Sequence, residues 1–132
     1  MIHFMWIHLN EEDSRPLYVQ VKEQLIRDIL NGSLHPGAEL PSIRGLAKEL
    51  RTSVITVKRA YQDLEQDGYI YTRPGKGSFV KQQPDEELQK QKIIMFRKKA
   101  EELIQFGRQQ HLSDEVMSTI FSQWLEKGDK KQ

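Results

Sequence analysis

Ser53, Thr56, Lys58 and Arg59 stand within a single short stretch, and Pro74-Gly75-Lys76-Gly77 follows soon after. Hydroxyls and cations grouped this way suit holding an anionic backbone better than making or breaking bonds. A hydroxyl, or a free backbone N–H at a helix start, hydrogen-bonds a phosphate oxygen. Lys58 and Arg59 could each reach a phosphate or a guanine edge. The two glycines permit positive φ and close backbone approach at a tight tip, from which Lys76 would project into a minor groove or onto a phosphate. Other chemistries find no footing. His3, His8, His35 and His111 lie apart with no ligand spacing. The acidic pairs are surface runs with no nucleophile at a recognisable spacing, and the glycines near Gly75 lack the strand-first context of a nucleotide-binding loop. With no cysteine in the chain, disulfides, thiolate metal sites and cysteine nucleophiles are excluded. No catalytic residue, metal or cofactor is expected.

Two helices and a hairpin must position these side chains. Ile43, Leu46, Ala47 and Leu50 repeat at helical spacing, as do Val57, Ala60, Tyr61 and Leu64. Arg51, Thr52 and Ser53 alone separate the two runs, so the helices must turn sharply and pack as a helix-turn-helix. The second helix, Val54–Asp67, stops at Gly68. Tyr69–Arg73 and Ser78–Lys81 then read as strands around the Pro-Gly-Lys-Gly tip. Upstream, Leu17, Val21, Leu25 and Ile29 predict an opening helix with Tyr18 and Ile26 alongside, Ser14 as its N-cap and Pro16 in its first turn. Gly32 ends that helix, His35-Pro36-Gly37 turns, and Ser42 caps the next. The fold class is α+β, mainly α: a winged helix-turn-helix followed by a short helical tail.

Charge is uneven along the chain. The net charge is +1, yet residues 15–81 hold eleven Lys/Arg against seven Asp/Glu, and the remainder holds nine against twelve. A basic body is a mild pointer to a polyanionic partner. With Val57, Ala60, Tyr61 and Leu64 facing the core, Val54 and Ile55 are left outward, where their methyls could meet thymine methyls or sugars; the alternative has Ile55 completing the core. Arg44, near the positive start of its helix, is ill placed for the helix dipole and well placed to clamp a phosphate. Met1–Asp13 forms an extension in which Ile2, Phe4 and Trp6 alternate as in a leading strand. Its apolar Met1–Leu9 run carries no basic residue and is too short to span a bilayer, so no export or membrane signal is read.

After Val80 the composition shifts. Residues 82–87 read as a polar linker, with Asp85-Glu86-Glu87 opening a long helix. Along it Ile93, Phe96, Ala100, Leu103 and Gly107 are spaced alternately by three and four. His111-Leu112 turns, Ser113 caps a last helix, and Met117, Ile120, Phe121, Trp124 and Leu125 make its apolar face. Gly128 and the Lys-rich end are expected to fray. The stripes of this 88–132 tail are too large to leave exposed on a small monomer. Ile93, Phe96, Ala100, Leu103, Ile120, Phe121 and Trp124 are therefore expected to hold a two-fold dimer; the alternative packs these helices back on the winged helix.

The ordered positions of residues 14–81 resemble the GntR family of bacterial transcription regulators. Pro16-Leu17-Tyr18 looks like its opening helix. Gly32-Ser33-Leu34-His35-Pro36-Gly37-Ala38-Glu39-Leu40-Pro41-Ser42-Ile43-Arg44 is similar to its G-x-L-x-P-G-x-x-L-P-S-x-R signature. Thr56-Val57 with Tyr61, Leu64, Glu65, Gly68, Tyr69 and Ile70 continues the match, and Gly75, Gly77 and Phe79 look like its wing. The short two-helix tail resembles the YtrA-like subfamily, in which it serves dimerisation. The resemblance implies operator contacts at Arg44, Ser53, Thr56, Lys58 and Gly75. Two positions depart from the pattern. Members usually carry Gly where Arg51 stands, which adds a phosphate-binding side chain at a strained turn. Many carry Arg where Val54 stands, so no family operator sequence transfers.

The expectation is a cytoplasmic, homodimeric regulator of double-stranded DNA, most simply a repressor. It would block polymerase from a pseudo-palindromic operator. The rival is a winged-helix module for protein contact or replication; an enzyme is a distant third. A drug-sized effector pocket within one tail is not expected, because two helices cannot enclose the ~300–1,000 Å³ such pockets usually need. A ligand could act only between two tails, near Phe96 and Trp124.

Overall fold

The computed structural model describes residues 7–130, with side chains described to Lys127. Residues up to Leu88 make one unit and those from Gln89 a second. The first contains helices α1 (Leu17–Leu30), α2 (Ile43–Leu50) and α3 (Val54–Gln66), and strands β1 (Ile70–Arg73) and β2 (Gly77–Val80). The chain then enters α4 (Asp85–Gln109) and α5 (Asp114–Lys130). Asp85–Glu87 therefore belong to α4, their carboxylates in its first turn, where the helix dipole favours them.

The core of the first unit is the meeting of three apolar faces. Val21 and Leu25 of α1, Leu46 of α2, and Val57, Ala60 and Leu64 of α3 have no exposed surface, and Leu34, Leu40, Ile70 and Val80 close the edges. α3 packs on both α1 and α2. Two polar ties fix its angle. Tyr61 donates its hydroxyl to the Pro41 carbonyl at 2.8 Å, at the entry to α2. Lys22 of α1 reaches Asp67 at 2.9 Å and Asp63 at 3.8 Å, beside the end of α3.

The hairpin pairs Ile70 with Val80, Tyr71 with Phe79, Thr72 with Ser78 and Arg73 with Gly77. Its strands start one residue later (β1) and one earlier (β2) than the sequence pattern suggests. The Lys76 N–H donates to the Arg73 carbonyl at 2.9 Å, with Pro74 and positive-φ Gly75 at the two central positions that such a turn favours. Segment 38–40 adds a third, short run beside β2 through Val80 N–H to Ala38 and Leu40 N–H to Ser78.

Two expectations meet corrections here. Ser14 does not cap α1: Pro16 holds the N-cap position, and no side chain caps the helix. Asp13 instead accepts the Arg15 N–H and pairs with the Arg15 guanidinium at 2.8 Å. Of the expected leading strand, Ile2, Phe4 and Trp6 lie outside the described residues, and residues 7–13 form no strand. Their backbone runs along α1, where the Gln24 side-chain amide bonds His8 N–H and C=O at 3.1 and 2.8 Å, and Gln20 treats Asn10 likewise. Two glutamine amides thus do what a neighbouring strand would have done. The last helix, α5, includes Gly128 and ends at Lys130.

In the second unit, His111 adopts φ +61, Leu112 N–H returns to the Gly107 carbonyl, and Ser113 Oγ accepts the Val116 N–H at 3.1 Å. Gly107 and Met117 are buried, and a β-carbon on Gly107 would lie 2.4 Å from the Met117 sulfur. The missing side chain lets the methionine fill its place.

Candidate nucleic-acid interface

The turn between α2 and α3 sets the direction of the second helix. Arg51 sits in the left-handed region at φ 56, ψ 45. Its N–H returns to Lys48 and that of Thr52 to Ala47, the reversed bonds that close a helix. Glycine is the usual occupant because a β-carbon there costs about 1–2 kcal/mol. Arg51 accepts that strain and presents an exposed guanidinium at the corner. Ser53 then caps α3: its Oγ accepts the Thr56 N–H at 3.0 Å and lies 2.8 Å from Thr56 Oγ1.

The expected contact residues of the first unit are largely exposed. Arg44 is exposed on α2, and Arg51, Ser53, Val54, Ile55, Lys58 and Arg59 are exposed on the turn and the start of α3; Thr56 is half-buried. Ile55 is 79% exposed, which settles it outside the core. Gly75 and Lys76 are exposed at the hairpin tip.

Geometry redistributes the roles within this set. The Ser53 and Thr56 hydroxyls are already engaged with each other in the cap. Arg59 lies 4.2 Å over the Tyr18 ring and donates to its hydroxyl at 3.2 Å, so α1 holds this cation to one flank of α3. Tyr18 is a site residue that the sequence pattern alone left unassigned. Glu65 is a second: its carboxylate accepts from the Thr72 N–H at 3.3 Å and hydroxyl at 3.2 Å, and Thr72 in turn meets Ser78 at 3.2 Å. The helix and the hairpin are therefore tied by a carboxylate near the end of α3.

The base of the site is electrostatically pinned. Burial alone would lower the Lys22 pKa, but its hydrogen bond and attraction to Asp67, with Asp63, hold it above the ordinary lysine value. Burial raises the Tyr61 hydroxyl well above the ordinary tyrosine range. Burial likewise raises Tyr69, with the Asp67 and Glu87 charges adding to it against Lys22.

A model of the bacterial regulatory proteins of the gntR family matches residues 17–80. The HTH-type transcriptional repressor YtrA of Bacillus subtilis (strain 168) is 33% identical over 98 residues, which span 74% of this chain and 75% of that protein. The chain belongs to the GntR family. It is thus a member of a family of DNA-binding transcriptional regulators rather than of enzymes. A GntR family regulator from Listeria monocytogenes shares the fold with a TM-score of 0.69 and 26% identity, over 87% of this chain and 96% of that one. AraR(DBD) in complex with operator ORX1 matches at a TM-score of 0.50 and 31% identity, over 55% of this chain and 96% of that one. Against other GntR relatives the span is smaller. The chain covers 30% of the Bacillus subtilis regulator YurK, to which it is 42% identical over 73 residues.

In the tail unit of this GntR protein the expected dimer residues are mostly outward. Phe96 is 75% and Trp124 62% exposed, and Ile93, Leu103, Ile120 and Phe121 are also exposed, while Ala100 is half-buried. Leu125 of the expected α5 stripe is exposed as well, and Ile94, Phe106 and Val116 extend this apolar surface beyond the stripes seen in the sequence. Met117 of the α5 stripe is buried instead, packed against Gly107. A groove of about 550 Å³ beside Phe106 is walled by Lys98, Glu101, Glu102, Gln105 and Gln109 of α4 itself, and is an open helix surface. Among the described residues, no helix is long and apolar enough to cross a membrane.

Proposed function

We propose that this protein is a homodimeric repressor that binds a pseudo-palindromic operator in the cytoplasm. Residues 14–81 would grip DNA, 82–87 would link, 88–132 would dimerise, and 1–13 would be an extension. The observation that carries the reading is the exposed, cationic corner formed by Arg44, Arg51 and the first turns of α3, on a framework shared with operator-binding relatives. In this arrangement α3 enters the major groove by its N-terminal turns. Arg44, Arg51 and Arg59 take phosphates, Lys58 takes a phosphate or a guanine edge, the backbone N–H groups at the start of α3 face the phosphate chain, and Lys76 with Gly75 approaches the minor groove or its phosphates.

The repressor named among its relatives supports repression by occupancy. The apolar faces of α4 and α5 support a two-fold partner, with Phe96, Leu103, Phe121 and Trp124 as anchors beside Ile93, Ala100 and Ile120. Two recognition helices would then lie about 34 Å apart, or a multiple of that helical turn.

Fluorescence anisotropy with a duplex selected by the whole protein tests this reading. A dimer neutralising ~6–10 phosphates should lose on the order of 10³–10⁵ in affinity between about 50 and 200 mM salt. Wild-type affinity in both Arg44→Ala and Lys58→Ala would show that the face is wrong. Sedimentation as a monomer at micromolar concentration, with and without DNA, would remove the dimer.

A further inference from the structure

We propose that Val54 and Ile55 read thymine methyl groups, making apolar contact with the base edge a main source of operator specificity. The inference rests on the DNA-binding reading above and adds the chemistry by which bases are chosen.

Intramolecular contacts take up most of the polar side chains on the first two turns of α3. Ser53 and Thr56 are joined in the cap. Arg59 is held over the Tyr18 ring of α1. Among the described residues of these turns, the outward side chains of Val54, Ile55 and Lys58 make no hydrogen bond, ion pair or ring contact. Lys58 is a flexible point charge that serves phosphates and bases alike. Ile55 is the most exposed of the large apolar side chains described, at 79%, and Val54 beside it is 39% exposed. Ile55 keeps most of its apolar surface in water and so adds little to the fold there, while Val54 is partly covered and leaves the rest of its side chain outward.

The surroundings identify what would cover them. Lys58 follows the pair by one helical turn, Arg51 stands in the turn just before the helix, and both are exposed, as is Arg44 on α2, so the complementary surface is anionic with an apolar point. A DNA major groove offers that combination: phosphates on both rims, and the C5 methyl of thymine as the apolar group on its base edges. Val54 and Ile55 are consecutive on the first turn of α3, so they can meet adjacent base steps. A β-branched side chain has few rotamers to lose on contact, which favours a fixed methyl-to-methyl fit over a longer flexible residue.

The test replaces thymine by deoxyuridine, which keeps base pairing and removes only the methyl. The whole protein first selects its preferred duplex from a random pool. Each thymine of one half-site is then changed to deoxyuridine singly, and affinity is measured at fixed salt. One or two positions should weaken binding about fourfold each, the effect of losing roughly one buried methyl. Ile55→Ala should bind the thymine duplex more weakly and lose its sensitivity at one such position, and Val54→Ala at the neighbouring one. Ile55→Val should retain that sensitivity. Both sites are on the surface, so unchanged thermal unfolding will show that the variants fold. Deoxyuridine effects that are absent, or equal in Ile55→Ala, Val54→Ala and wild type, overturn the proposal while leaving salt-sensitive DNA binding intact. Failure of the protein to select any sequence overturns both readings.

Discussion

Replacing Ser53 by Ala removes the oxygen that accepts the Thr56 N–H at 3.0 Å and meets the Thr56 hydroxyl at 2.8 Å. A serine cap is worth about 1 kcal/mol. The freed Thr56 groups find water at the helix start, so the second lost contact adds little. For a DNA-binding unit of this size, 1 kcal/mol lowers the melting midpoint by about 4–8 °C. Ser53→Asp separates stability from recognition. An aspartate caps as well as serine and suits the positive end of the helix dipole, so the midpoint should return to the wild-type value. Its charge, however, would face phosphates. Two like charges about 6 Å apart repel by roughly 0.7–2.8 kcal/mol for dielectric constants between 80 and 20, a threefold to hundredfold loss for each half-site. Circular dichroism melting and operator titration of the two variants check both arms. Wild-type operator affinity in Ser53→Asp would refute the placement of this turn against the phosphate chain, and an unshifted midpoint in Ser53→Ala would refute the cap.

Gly107→Ala gains about 1 kcal/mol of helix propensity, yet its new methyl would lie 2.4 Å from the buried Met117 sulfur. Overpacking of that kind costs about 1–3 kcal/mol, so the tail should lose stability in denaturant. In a double-mutant cycle, Met117→Ala should cost less beside Gly107→Ala than alone; additive effects would show that the two do not touch. Stability should also fall at alkaline pH. Lys22, Tyr61 and Tyr69 are all raised in the folded state, above ordinary values of 10.5, 10.0 and 10.0. A raised group contributes fully below its unfolded pKa and loses that contribution as pH climbs toward its folded one. The melting midpoint should therefore be level near neutrality and decline once pH passes about 10, less steeply in Tyr61→Phe, as a melting series across pH would show.

Features built from neighbouring residues were legible in the sequence. Ser42, Ser53 and Ser113 cap helices through bonds three residues away, so composition near each helix start announces them. Gly68 and Gly75 adopt positive φ where the turns require it. Features built across the fold were not legible. Arg59 and Tyr18 are 41 residues apart, and nothing in either segment says that a cation of α3 will rest on a ring of α1. Ser14 looked like a cap because its type and position were right, but Asp13 and Gln20 had already organised that approach. The alternation of Ile2, Phe4 and Trp6 lies outside the described residues, and nothing local to residues 8 and 10 reveals that glutamine amides of α1 will satisfy them. In the tail, helical spacing found the apolar stripes but could not separate Met117, which Gly107 admits into the hairpin, from Phe96 and Trp124, which stay outside.

The Glu65 carboxylate that joins α3 to Thr72, and through it to Ser78, has a mechanical consequence. Helix and hairpin are joined at that point like the jaws of a caliper before any duplex arrives. If both jaws engage, the adaptation falls to the DNA, which must bring the width of its grooves to the protein. Base pairs lying between the two points of contact would then be selected by their stiffness, although no side chain touches them.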